Sequence, residues 1–347
     1  MEFIEVDGSK GEGGGQILRS AVAFSAVLRK PTRVSRIRAG RSEPGLKRQH
    51  VSALRVLSKV FGGELAGAEE GSSVVTFVPS TPRMHSLSVD MGTAASITLV
   101  LQAVVPAVAL NHTDLILDLV GGTDVPWSPT FDYFERVVRD AFGAVGIGYE
   151  TRSVRRGYYP RGGGRATAKI APSEGIASLD CTQSISVPGA RIVSRCGALP
   201  RHVAERQLSA ASDVLQSAGV AVLGREVVEE PSDSPGSSIL VYHSGPGAYL
   251  GADALGAKGK PAEEVGSDAA SRFVRAVRSG ASMDSNLADM LLPLLSMAPQ
   301  PSQVRVPEVT EHLRSGLDLA TQFTSCTWSS GSADGAAVVR VEPKDAR

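Results

Sequence analysis

The sequence predicts a mixed α/β fold built from a helix–strand unit that is used more than once. Long amphipathic or apolar helical stretches alternate with short segments rich in β-branched residues. Two kinds of helix recur at one offset along the chain. The 37 glycines, set against only 5% aromatic residues, suit many tight strand–helix turns.

The first kind of helix opens on small residues. Gly13–Gly15 leads into QILRSAVAFSAVL, and Gly92–Ala95 leads into SITLVLQAVVPAVAL. The second kind closes on Phe-Gly, in LKRQHVSALRVLSKVFGG and FDYFERVVRDAFGA. Its closing phenylalanines, Phe61 and Phe142, are 142 − 61 = 81 residues apart, and the openings at Gly13 and Ala94 show the same spacing. Between the helices, TRVSRIRA, SVVTFVP and DLILDLVGG read as strands, with Arg36 and Arg38 alternating on one strand face. The unit is helix, strand, helix and strand pair, repeated at about 80 residues, which is first a statement about structure.

A third copy is recognisable near the C-terminus. NLADMLLPLLSMA stands for the first helix, VTEHLRSGLDLATQF for the second, and AAVVRVEP for a closing strand. The stretch from about Asp180 to Val274 interrupts the series with a strand (ARIVSRCGAL), a helix (HVAERQLSAASDVLQSAG), a Pro/Ser/Gly-rich turn and two more strands. The expected organisation is therefore residues 1–179 for two repeats and the start of the third. An inserted α/β domain then spans 180–274, and the rest of repeat three spans 275–347. A chain of 347 residues is long enough for two domains.

Composition narrows the function classes. With 36 basic and 36 acidic side chains the net charge is zero, so broad polycationic binding to nucleic acid is excluded while a local basic groove is not. Cys181, Cys196 and Cys326 form no CxxC pair and read as reduced, buried thiols. The N-terminus shows no apolar signal segment, and the most apolar run, Ala94 to Leu110, carries Gln102 and Pro106. It reads as a buried helix, so a cytoplasmic protein without membrane contact is expected.

Several residue groups point to phosphate chemistry. Gly11-Glu12-Gly13-Gly14-Gly15 precedes an apolar helix as phosphate-cradling loops do, yet it lacks the Lys-Ser/Thr of a P-loop, and a tight turn alone would explain the glycines. Glu12 inside the turn and Arg19 beyond it favour a site. From Arg36 to His50 the chain is dense in cations, including Arg38, Arg41, Lys47 and Arg48 beside Gln49; guanidinium forks suit phosphate oxygens, and a solvated face is the alternative. A second cluster, Arg152, Arg155, Arg156, Arg161 and Arg165, is interleaved with Tyr158, Tyr159 and Gly162–Gly164, as the end of an RNA strand requires; a basic hairpin is the alternative. Gln102 must find partners for its amide, either in capping a strand end or in reading a ligand. These residues by themselves describe a phosphate-binding α/β protein with no assigned reaction.

The blocks DGSKGEGGGQILRSA, IRAGRSEPGLKRQH, MGTAASITLVLQ, GGTDVPWSPTFDYF, GYYPRGGG and NLADMLLP, in this order, resemble the signature of the RNA 3′-terminal phosphate cyclase family. The resemblance implies three βαβαββ-type repeats, as in enolpyruvyl transferases, and a smaller inserted α/β domain. It also implies ATP as co-substrate, with Mg²⁺ or Mn²⁺. His312, in the helix after the LAD block, would be the nucleophile that takes AMP from ATP and releases pyrophosphate. AMP would then pass to an RNA 3′-phosphate, and the 2′-OH would displace it to close a 2′,3′-cyclic phosphate. Gln102 and Asn286, Leu287, Ala288, Asp289 and Met290 would contact ATP. Glu12, Arg19, Arg38, Arg41, Gln49 and His50 would handle phosphate, with Glu12 near the metal. Apart from the resemblance, the basic cluster itself makes Arg155 and Arg161 candidates for meeting the RNA end. Met290 stands where family members commonly have glutamine, and a thioether cannot replace an amide's hydrogen bonds. A non-catalytic relative would be expected to lack His312, and an enolpyruvyl transferase would need no ATP. No obligate protein partner is indicated, and a homo-oligomer is left open.

Overall fold

A computed structural model describes residues 2–11, 15–82, 84–183 and 187–344. The chain begins with β1 (Ile4–Asp7), α1 (Gln16–Leu28), β2 (Thr32–Ser35), α2 (Arg48–Phe61), β3 (Glu64–Ala66) and β4 (Val75–Val78). Their sheet is ordered β1-β2-β4-β3, with β1 parallel to β2 and the other neighbours antiparallel. There follow β5 (Ser86–Asp90), α3 (Ile97–Ala109) and β6 (Leu115–Gly121). A helical run comes next, formed by α4 (Phe131–Tyr133), a π-helical turn (Phe134–Val138) and α5 (Arg139–Ala144), and then β7 (Tyr149–Arg155) and β8 (Gly164–Ile170). This second sheet, β5-β6-β8-β7, repeats the first in order and direction.

After β9 (Asp180–Cys181) the chain enters a separate body. It contains β10 (Ala190–Gly197), α6 (His202–Ser217), β11 (Val222–Glu230), β12 (Gly236–Gly245), β13 (Ala248–Leu255) and α7 (Ala262–Arg278). The sheet β11-β10-β12-β13 packs against both helices around its own apolar cluster, which includes Ile192, Leu215, Ile239, Val241, Val265 and Phe273. The chain then returns through α8 (Ser285–Leu291), β14 (Ser302–Val306), α9 (Glu311–Thr324), β15 (Thr327–Ala333) and β16 (Ala336–Glu342). The sheet β9-β14-β16-β15 has the strand order and directions of the first two.

Helix α1 packs against both α3 and α9 over these sheets. Both α1 and α3 are apolar over most of their circumference because neighbours cover them on several sides. Phe24 of α1 stacks on Phe323 of α9 with ring centroids 5.4 Å apart, a contact worth about 1 kcal/mol beyond its burial. No helix among the described residues is long and apolar enough to cross a membrane. Cys181, Cys196 and Cys326 are buried and free.

Two sequence expectations are corrected. Strand β2 stops at Ser35, and Arg36 and Arg38 do not alternate on a strand; both sit in turns at left-handed φ of 55° and 54°. The inserted stretch also contains α7, where only strands were read. Its apolar positions Val265, Ala269, Ala270, Phe273 and Val274 follow helical spacing, with acids in the first turn and arginines in the last. Gly266 interrupts the pattern because α7 lies hard against α6, where a Cβ would come 2.0 Å from the Gln207 carbonyl oxygen.

The body of β10–β13 docks through charge. Arg156, 1% exposed, pairs with Asp124 at 3.0 Å and Asp132 at 3.1 Å, while Arg195 of β10 donates to Asp132 at 2.7 Å. Burial works against the Asp132 charge, yet the two arginines outweigh it and lower the carboxyl pKa.

Candidate active site

One narrow cleft collects polar side chains from three helices. Helix α1 contributes Gln16, Arg19 and Ser20, α3 contributes Gln102, and α8 contributes Asp289 and Met290; Phe24, Leu99, Pro106 and Pro293 complete the walls. The spacing is helical: Gln16, Arg19, Ser20 and Ala23 share one face of α1, as Leu99, Gln102, Ala103 and Pro106 share one face of α3. A polar side chain in the apolar α3 therefore reaches a cleft instead of the core.

Arg19 sets the electrostatics. Burial lowers it to about 10, and no carboxylate among the described residues pairs with it. Beside it, His50 is 3% exposed, and burial, reinforced by Arg19, Arg38 and Lys47, lowers its ring to about 3. The ring is therefore neutral at physiological pH. Its Nδ1 accepts the Lys47 backbone N–H at 3.1 Å, so the remaining proton resides on Nε2. That edge faces Gly15, where a Cβ would lie 2.2 Å from Nε2 and 2.9 Å from Arg19 Nη1. Gly15 also starts α1, whose first turn holds no acid. A desolvated guanidinium, a neutral N–H donor and a positive helix end thus converge on one point, an arrangement suited to a phosphate oxygen.

The first turn of α9, which carries His312, is tied to residues that line this cleft. Thr310 caps α9, accepting from the Leu313 N–H at 2.9 Å and donating to Asp289 Oδ1 at 2.7 Å. Gln16 Nε2 donates to the His312 carbonyl at 3.2 Å. Two cleft-lining residues on different helices therefore fix the first turn of α9, and the half-buried imidazole rides on that turn. Neither Thr310 nor Gln16 stood out in the sequence; the only signal for Thr310 was a Thr three residues before an apolar helical position.

The remaining candidates are distributed more widely. Arg38 donates to the Glu43 and Gly45 carbonyls at 2.7 and 2.9 Å, so it shapes its own loop as well as facing His50. Arg41 and Gln49 are exposed nearby in sequence. Asn286 is exposed, whereas the side chains of Leu287 and Ala288 are fully buried in the core. Arg155 pairs with Asp233 at 3.1 Å and donates to the Gly163 carbonyl, Arg165 pairs with Asp118, and Arg156 is internal. Three of the five arginines are thus paired with carboxylates, while Arg152 and Arg161 are exposed. Glu12, expected near phosphate and metal, lies outside the described residues. No group of three or more His, Cys, Asp or Glu side chains placed to hold a metal ion exists among the described residues.

Comparisons with known proteins agree on one family. A family model described as RNA 3′-terminal phosphate cyclase matches residues 10–329. A protein of Desulfurococcus amylolyticus named RNA 3′-terminal phosphate cyclase is 41% identical over 330 residues, 93% of this chain and 92% of its own. One of Pyrococcus furiosus with the same name is 41% identical over 323 residues, 92% of this chain and 93% of its own. A third, of Methanopyrus kandleri, is 38% identical and covers 99% of this chain and 100% of its own. A match of this extent, over a cleft lined from three of the blocks the sequence singled out, means that the chain belongs to the RNA 3′-terminal phosphate cyclase family.

Proposed function

We propose that this chain converts an RNA 3′-phosphate end to a 2′,3′-cyclic phosphodiester at the expense of ATP, with His312 as the nucleophile. The observation that carries the reading is the joining of α9, through Thr310–Asp289 and Gln16–His312, to a cleft lined by Arg19, which meets no carboxylate among the described residues and has the neutral His50 beside it. Membership of the cyclase family supports the same activity.

The imidazole nitrogen of His312 attacks the α-phosphorus of ATP; a P–N bond forms, the bond to the β-phosphate oxygen breaks, and pyrophosphate departs with the electron pair. An oxygen of the RNA 3′-phosphate then displaces His312 from that phosphorus, giving RNA capped by AMP through a pyrophosphate linkage. The 2′-OH finally attacks the terminal RNA phosphorus, losing its proton and expelling AMP. The middle step converts a phosphate that lacks a leaving group into one that has AMP to lose. Ring closure then gains the intramolecular advantage of a hydroxyl held on the adjacent carbon. Arg19 and the Nε2–H of His50 neutralise charge on the phosphate oxygens, and Gln102 offers an amide for hydrogen bonding to the nucleotide. Mg²⁺ or Mn²⁺, when bound, supplies further charge neutralisation at the triphosphate.

The test is transfer of label from α-labelled ATP to the protein, read after denaturing electrophoresis. Wild type should retain label and lose it on addition of RNA with a 3′-phosphate, and His312→Ala should take none. Absence of label on wild type with either metal would refute the mechanism and favour a non-catalytic RNA-binding protein.

A further inference from the structure

A second cleft, about 940 Å³, lies between the β6–α4 loop and the body of β10–β13. Two aromatic rings stand over it with little cover: Trp127 is 94% exposed and Tyr159 67% exposed. Trp127 also has φ of 67°, a left-handed conformation that is costly for a bulky residue. Hydrophobic burial cannot be what holds the indole in place, since almost none of it is buried. Across the cleft, Lys258 and Arg275 are exposed and have no carboxylate partner among the described residues, and Arg272 bonds only the Asp253 carbonyl oxygen. The acids of the same cleft are already engaged: Lys260 takes Asp268, Arg156 takes Asp124, and the Thr130 N–H takes Asp253.

The geometry points to a track for single-stranded RNA, in which bases stack on Trp127 and Tyr159 while Lys258 and Arg275 meet the backbone phosphates. Exposed rings opposite free cations are what a flexible strand needs, because every base has a face to stack and every linkage a charge. A protein partner would be expected to cover an apolar patch, and here the two rings are set among cations. The loop that carries Trp127 is anchored to a wall of the first cleft. Thr98 of α3 donates to the Pro129 carbonyl at 2.8 Å, tying the Trp127 loop to the helix whose next residue, Leu99, lines the wall beside Arg19. The assignment rests on the cyclase reading: the nucleotides preceding the reacting end would occupy the track while the 3′-phosphate sits by Arg19.

The experiment uses full-length protein carrying Trp328→Phe, which leaves Trp127 as the sole indole. It is titrated with a 3′-phosphorylated RNA decamer and with a 3′-phosphorylated dinucleotide. The decamer should quench Trp127 fluorescence and the dinucleotide should not. Trp127→Ala and Tyr159→Ala should each raise the decamer KM roughly 5- to 150-fold, leaving the dinucleotide KM and labelling by α-labelled ATP unchanged. Lys258→Ala with Arg275→Ala should lower the salt slope of decamer binding by about 1.4. Equal effects on both substrates, or unquenched fluorescence with an unchanged decamer KM, would overturn the track. Quenching by the decamer without label transfer in wild type would sustain the track and overturn the cyclase mechanism.

Discussion

Replacing Gly15 with alanine isolates the geometry of the anion site. Gly15 has φ −79° and ψ −3°, a conformation alanine adopts freely, so the backbone is not strained by the change. The added methyl would instead lie 2.2 Å from His50 Nε2, 2.5 Å from its Cδ2 and 2.9 Å from Arg19 Nη1. Ordinary carbon contacts need about 3.5 Å, so the ring must retreat by roughly 1 Å. It has nowhere open to go, being 3% exposed and tied through Nδ1 to the Lys47 N–H. Overpacking of this kind costs about 1–3 kcal/mol, and a 1 Å displacement of a positioning group costs up to about 100-fold in rate. Steady-state cyclisation of a 3′-phosphorylated RNA and thermal unfolding would be measured on Gly15→Ala alone and with His50→Ala. The single variant should lose both stability and turnover. The double variant, with space restored, should recover most of the stability and none of the turnover, giving a clear coupling energy. Full activity of Gly15→Ala at an unchanged melting temperature would refute the placement of His50 and Arg19 around this glycine.

Other consequences can be measured separately. The His50 ring titrates near 3 when folded and near 6.5 when unfolded, so the unfolded chain binds more protons between those values. Stability should therefore fall as pH drops below 6.5, by about 1.4 kcal/mol per unit from this group, and His50→Gln should flatten that part of a denaturation-versus-pH curve. Asp132→Ala leaves Arg156 and Arg195 without their shared buried carboxylate; chemical denaturation should show a loss of about 3–5 kcal/mol, or loss of soluble protein. Thr310→Val removes both the α9 cap and the bond to Asp289; it should cost about 1 kcal/mol and slow labelling of His312, with Thr310→Ser restoring both.

Much was readable along the chain because it depends on local chemistry. Periodicity and small-residue openings marked α1, α2 and α3, and the 81-residue offset marked two stretches whose sheets share one strand order. Arg19 could be singled out because it follows a glycine turn into an apolar helix, and Gln102 because an amide in an apolar helix is costly without a partner. Other features belong to contacts between distant segments, which no single stretch encodes. Arg156 reads as one of five arginines in a basic run, yet Asp124, Asp132 and Arg195 make it an internal ion network. His50 reads as part of a cationic face, yet packing against Gly15 and Arg19 makes it a neutral donor. Residue type and spacing determined which groups were available for phosphate chemistry. Only the tertiary structure, by deciding which groups lose water and which meet a counter-charge, determined which ones stand ready to use it.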